Sequence, residues 1–368
     1  MRDPLYEDRF FGLLQRAEDQ DYAPDTGPLL EEAFRLADEN VDPEYGLLAR
    51  YFYVFAVAPL EPHNAVVAFT WCLAHQEHAT DLIPERSLVH LYGIVAGILR
   101  SYPDYSLTQI EHTFDEMERK FRELGLPMRD VWHHRLYGAL GVGDKVRARE
   151  WFERWGRETP TPRSCAVCDL GTRVLYHLYF EEYDEAFRCA RPIWEGLRCE
   201  DGQPLMTAAA SLIPLVRKRQ YERARHCHQQ VVGELGTLGY AGIWAAGREL
   251  GYLSVIGSQD AAVASFERYL PKAWFSGTPA DRFGYLISAK LLARRMGEVA
   301  ESVALRVPHG CEFHRENGVY HPSELEAYSD RELAELGGRF DRRNGNREYT
   351  RISNLTVAIF DEIRASVS

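Results

Sequence analysis

The sequence predicts an all-α chain, a solenoid of antiparallel helix pairs with about 16–17 helices, and three observations carry that expectation. Apolar residues recur at helical spacing from end to end, with no β-hairpin or βαβ signal. Most connectors between these stripes are short and carry Gly, Pro or Asp, as antiparallel helix hairpins require. An acid followed two residues later by a small or apolar residue opens four helices at near-constant spacing.

Helices are expected over 6–20, 28–39, 44–58, 64–78, 86–101, 106–124, 129–142 and 144–157. A second set is expected over 168–181, 184–196, 205–218, 221–238, 243–257, 259–272, 279–296, 323–338 and 347–366. The repeated openings are Asp144 with Val146, Asp184 with Ala186, Glu222 with Ala224 and Asp260 with Ala262, giving spacings of 40, 38 and 38. The acid suits the positive end of a helix, and the small residue lets a paired helix come close. Any helical bundle can place an acid near a helix start, so the regular spacing is what favours stacked repeats. One array is expected over 1–368: N-terminal helices over 1–43, repeats over 44–300, then an irregular loop and capping helices over 301–368.

Composition excludes several classes. The chain has 43 basic and 55 acidic residues, a net charge of −12, which argues against general binding to nucleic acid or to an anionic membrane. Its opening MRDPLYEDRF lacks the apolar run of a signal peptide. The longest apolar run, Leu47 to Leu60, is interrupted by Arg50 and is too short to span a bilayer. Seven cysteines make no disulfide framework, so a cytoplasmic location with reduced or metal-bound thiols is expected.

The segments CAVCDLGTRVLYHLYFEEYDEAFRCARPIWEGLRCEDGQP (165–204), ASLIPLVRKRQYERARHCHQQV (210–231) and ELGYLSVIGSQDAAVASFERYLP (249–271) carry a resemblance. Ala262 and Phe266 reproduce the A-x3-F signature of the tetratricopeptide repeat, with Pro271 near the helix end. Over roughly 30–345 the chain resembles the degenerate tetratricopeptide-repeat (TPR) proteins of bacteria. Its likeness is to a subset with a mid-chain Cys-x-x-Cys, a third Cys and a Pro-His pair. Here Leu205 follows Pro204, so that histidine is missing. The resemblance implies a right-handed TPR-like α-solenoid and a binding role, and no defined activity.

Chemistry could reside in three places. Cys165 and Cys168 form a C-x-x-C at a helix start, and Cys199 lies 31 residues on, beyond a helix that returns the chain to the same end. Three thiolates suit one structural zinc, with His228, His226 or Asp201 as the fourth ligand. The competing reading is three reduced cysteines packed between helices. Cys72, His75 and His78 share one helix, but His78 turns away from Cys72, so a polar helix end accounts for them. His309, Cys311, His314 and His321 crowd the long connector Arg306–Pro322, where a metal or catalytic site competes with a chance cluster on a surface loop. Cys189, Cys227 and Ser265 share a repeat position and read as small residues at a tight helix contact.

No P-loop, nucleophile elbow or H-E-x-x-H is present, so no enzymatic activity is expected. The expected role is a scaffold or regulatory module that binds a protein or peptide along its concave face. Groove candidates are Trp132, Arg135, Tyr176, Tyr179, Arg217, Trp244, Arg248 and Tyr252. The alternative is a zinc-dependent enzyme or thiol sensor using Cys165, Cys168 and Cys199 or the 306–322 loop. The C-terminal stripe Ile352, Leu355, Ile359 and Ile363, widened by Val357 and Phe360, should cap the array by packing on residues 323–338. Exposure of Val357 and Phe360 would instead mark a homodimer contact.

Overall fold

The computed structural model describes residues 2–59, 61–161, 164–199, 202–235 and 242–365. Its first helices are α1 (Pro4–Glu18), α2 (Gly27–Glu39), α3 (Pro43–Val57), α4 (Pro62–Ala74), α5 (Glu85–Leu88), α6 (Leu91–Ser101), α7 (Leu107–Glu123), α8 (Arg129–Val142) and α9 (Lys145–Arg157). There follow α10 (Ala166–Tyr179), α11 (Tyr183–Trp194), α12 (Leu205–Arg217), α13 (Tyr221–Glu234), α14 (Gly242–Ile256), α15 (Gln259–Phe275), α16 (Pro279–Gly297), α17 (Pro322–Asn344) and α18 (Glu348–Ala365). Local chemistry sets several boundaries. Asp3 and Asp42 accept backbone N–H bonds at the starts of α1 and α3, Ser106 and Gln109 form a reciprocal cap on α7, and Gly345 ends α17 at φ 64°.

The expected all-α class is observed, with local differences. The helix expected over 64–78 ends at Ala74, so His75 and His78 do not share the helix that bears Cys72. The helix expected over 86–101 is broken at Val89 and His90, where no Gly or Pro announces the break. The helix expected over 323–338 runs on to Asn344. The sequence carries no hairpin signal, yet β1 (Val303–Ala304) pairs antiparallel with β2 (Val319–Tyr320). Two-residue strands are too short to leave an alternating pattern in the sequence.

The chain divides into two compact units, residues 1–100, 105–138 and 148–158 in one, and 101–104, 139–147 and 159–368 in the other. In the first, α1 to α4 pack in succession. Arg50, the charge inside the apolar run, is buried there: it bonds Asp38 at 2.6 and 3.0 Å and lies over the rings of Phe34 and Trp71. A buried guanidinium is tolerated because both its charge and its flat faces are matched.

In the second unit α10, α12, α14 and α16 contact one another in succession, and α11, α13 and α15 pack beside them. The second helices of the pairs begin at Lys145, Tyr183, Tyr221 and Gln259, each 38 residues after the last. This corrects the first repeat. Val146 is exposed, and Ala148 is the buried counterpart of Ala186, Ala224 and Ala262. Asp144 sits one residue before α9 and caps the Arg147 N–H at 2.9 Å, whereas the later acids lie inside the first turn.

The C-terminal helix does more than was expected. It packs on α17 and also on α12, α14 and α16. Phe360 and Ile363 enter the core of the second unit, while Ile352, Leu355, Val357 and Ile359 are half-buried. Burial of Phe360 within its own chain removes it from the alternative dimer contact. Among the described residues no helix is long and apolar enough to cross a membrane.

Candidate metal centre

The C-x-x-C lies at the start of α10. Cys165 is the N-cap, and its sulfur accepts the Cys168 N–H at 3.4 Å. The positive end of a helix favours thiolate over thiol. After α11 the chain turns back through Gly196 and Gly202, both with positive φ, and the Cys199 N–H donates to the Gln203 carbonyl at 3.3 Å. Gln203 pins this loop: its side-chain carbonyl accepts the Thr207 N–H at 3.2 Å, and its amide nitrogen lies over Gly171 of α10. A β-carbon at Gly171 would stand 2.4 Å from that nitrogen, so the close approach needs a glycine.

The result is convergence. The sulfurs of Cys165, Cys168 and Cys199 all lie within 4.8 Å of one another, and those of Cys168 and Cys199 are 3.5 Å apart. Zinc–sulfur bonds of about 2.3 Å in a tetrahedron require sulfur separations of about 3.8 Å, so small adjustments suffice to seat the ion. All three residues are partly buried. Burial works to raise the Cys165 pKa, but hydrogen bonds from the Cys168 N–H and from the neighbouring thiols outweigh it and lower the value overall. Burial, then the hydrogen bonds to Cys165 and Cys199, push the Cys168 thiol well up. One sulfur is thus primed to ionise, and the others would be ionised by the metal itself.

The expected histidine does not join them. His228 points its Nε2 at Glu249, 3.4 Å away, and stacks beside Tyr252. Glu249 is buried and accepts the Ser265 hydroxyl at 2.7 Å, and His228 faces it from α13, away from the thiols, with no hydrogen bond to its Nε2 among the described residues. His226 is engaged with the Trp194 carbonyl at 3.1 Å. Asp201 lies outside the described residues. Cys72 is fully buried, while His75 stacks on Trp71 and bonds its carbonyl, so that trio forms no cluster.

The eight groove candidates divide. Trp132, Arg135, Tyr176 and Tyr252 are buried. Trp132 stacks on Trp151, and Arg135 is paired with Asp115 at 2.6 Å and Glu118 at 3.0 Å. Tyr179 lies under Arg351, and Arg217 bonds Glu362, both on the C-terminal helix. Only Trp244, half-buried, and Arg248, exposed, remain open, with the guanidinium 5.1 Å from the indole centroid. Among the described residues no carboxylate pairs with Arg248. Periodicity does not separate these cases, because helices packed in series bury more than one face.

No protein-family model matches this chain, and no characterised protein matches it.

Proposed function

We propose that this chain is a right-handed helical-repeat solenoid that binds a protein or peptide, with one structural zinc clasping its mid-chain helix pair. The observation that carries the zinc is the convergence of Cys165, Cys168 and Cys199 from a helix start and a loop 31 residues on. Zinc there would tie the start of α10 to the turn after α11, the two ends that a hairpin must hold in register. The fourth position belongs to water or to a neighbouring side chain. A reducing cytoplasm is where three such thiols persist. The binding role rests on the serial helix pairs and on Arg248 beside Trp244, a cation with no carboxylate partner among the described residues beside an aromatic ring, which suits an acidic peptide.

Metal analysis of the purified protein tests the clasp. About one equivalent of zinc is expected, lost in Cys168→Ser. Absence of metal, with all three thiols alkylated in the folded state, rejects it. Selection of displayed peptides on the immobilised protein tests the binding role. Acidic sequences that bind the parent and not Arg248→Glu support it, and no enrichment over a blank surface counts against it.

The 3.5 Å separation of Cys168 and Cys199 supports a second reading, a thiol sensor. With hydrogen peroxide as oxidant, the two thiols become a disulfide and the peroxide becomes two waters, without zinc. A metal-free protein that loses two hydrogens by mass on peroxide treatment, reversibly with dithiol, would favour this reading.

A further inference from the structure

The loop between α16 and α17 holds a second cluster, separate from the thiols. It is a packed lobe. The β1–β2 pair closes its neck, and Leu305, Val307, Cys311 and Tyr320 face the core. The Leu305 N–H donates to the Gly318 carbonyl at 2.9 Å, and the Arg315 N–H donates to the Tyr320 hydroxyl at 2.9 Å. Arg306 fastens the near side to Glu267 of α15 at 2.7 Å.

On this base, His309, His314 and Glu316 offer ligand atoms that all lie within 4.8 Å of one another. Two of the four residues suggested by the sequence are absent from the group. Cys311 is buried, with its thiol pushed up to about 11 by that burial, and His321 is engaged with the Glu301 carbonyl at 2.9 Å. Glu316 takes their place.

The decisive residue is His314. Its Nδ1 lies 2.8 Å from the Val307 carbonyl, an acceptor only, so Nδ1 must carry the hydrogen. Nε2 is then the nitrogen with the free lone pair. It is shielded from water, has no hydrogen-bond partner, and faces Glu316 at 3.9 Å, too far for a hydrogen bond. A metal-ligating histidine has this arrangement, with the far nitrogen donating to a backbone carbonyl and the near one bare. The ring of His309 stands 4.2 Å from that of His314, and its Nδ1 is 4.0 Å from the same Glu316 oxygen.

We propose that His309, His314 and Glu316 bind a divalent transition-metal ion, zinc by the chemistry of the donors, with the remaining position held by water. Two imidazoles and one carboxylate are the three-ligand set that leaves a zinc position open. His314 is the rigid anchor. His309 and Glu316, both largely exposed, supply the other two ligands.

Cobalt(II) titration of the intact protein separates this centre from the thiols, because only thiolate ligands give intense charge-transfer absorption. The expected result is a second, weakly absorbing cobalt equivalent that zinc displaces. It should be lost in His314→Gln and His309→Gln and retained in Cys168→Ser. His309 is exposed, so its variant folds even if His314→Gln does not. Retention of every bound equivalent in His309→Gln and Glu316→Gln overturns the proposal, as does a parent protein whose only bound metal is lost with Cys168→Ser. If metal is lost in the histidine variants and the thiols hold none, this centre stands and the zinc clasp falls.

Discussion

The guanidinium of Arg217 at the end of α12 meets the carboxylate of Glu362 on α18 at 3.1 Å, across 145 residues of chain. The contact belongs to a row. Arg294 reaches Asp361 at 3.6 Å, and Arg364 pairs with Glu298. Between these pairs Phe360 and Ile363 are buried. Exposed pairs contribute about 0–1 kcal/mol each, whereas emptying a buried Phe site costs about 3–5 kcal/mol, so the apolar contacts hold the helix and the charges orient it.

Phe360→Ala should therefore destabilise the second unit by about 3–5 kcal/mol, and Arg217→Ala by less than about 1 kcal/mol, in chemical denaturation. Deletion of 348–368 should lower the melting temperature and expose dye-binding apolar surface. A truncated chain that melts like the parent but changes from dimer to monomer by light scattering would refute the intramolecular role.

Ala148 and Ala224 occupy the same place in their repeats and are both fully buried. Replacement of either by Leu should overpack the helix pair and cost about 1–3 kcal/mol. Val146, two residues from Ala148, is exposed, and its replacement by Ala should stay within about 0.5 kcal/mol. Equal melting temperatures for Ala148→Leu and the parent would show that the 38-residue register is misplaced in the first repeat.

That register shows what the sequence could and could not say. The helices were legible because long amphipathic stripes bounded by Gly, Pro and Asp leave a strong periodic signal. The repeat was legible except in its first copy. There the acid at Asp144 is a cap before the helix, not a residue in its first turn, and counting from the acid shifted the register by two. The three thiols were legible because C-x-x-C and a returning hairpin constrain where sulfur can go. The fourth ligand was not, since His228 pairs with a glutamate sixteen residues before Ser265, a contact with no local signature. Six of the eight groove candidates are buried or engaged by a neighbouring helix, because an aromatic or Arg on a helix reads the same whether it faces water or another helix.

Gly171→Ala should weaken zinc binding without unfolding the chain. The new methyl group displaces the Gln203 amide, which anchors the loop bearing Cys199, while α10 and α12 keep their helical hydrogen bonds. Disturbing a group that positions a ligand typically costs about 10–100-fold in metal affinity. Competition with a chromophoric chelator should show a loss in that range, with unchanged far-ultraviolet circular dichroism. Unchanged affinity would mean that Gln203 does not position the sulfur.

The final prediction concerns pH. His134 of α8 presses its ring against the backbone of α6, where a β-carbon on Gly93 would stand 2.3 Å from the imidazole. The residue as a whole is half-buried. Desolvation first, then the neighbouring His133, Arg100 and His90, bring its pKa down to about 3. An unfolded histidine titrates near 6.5. Between those values the unfolded chain binds a proton that the folded chain refuses. The contribution of His134 to stability is therefore complete above about pH 6.5 and is lost as pH falls toward about 3. Within that window the stability of the first unit should fall by up to about 1.4 kcal/mol per pH unit from this residue. His134→Gln should flatten the difference curve between pH 6.5 and 4.5, over which carboxylates act alike in both proteins. The ring proton of His134, followed by NMR, should keep its neutral chemical shift down to about pH 4. A titration midpoint near 6.5 in the folded protein would show that the ring is solvated and that the acid sensitivity lies elsewhere.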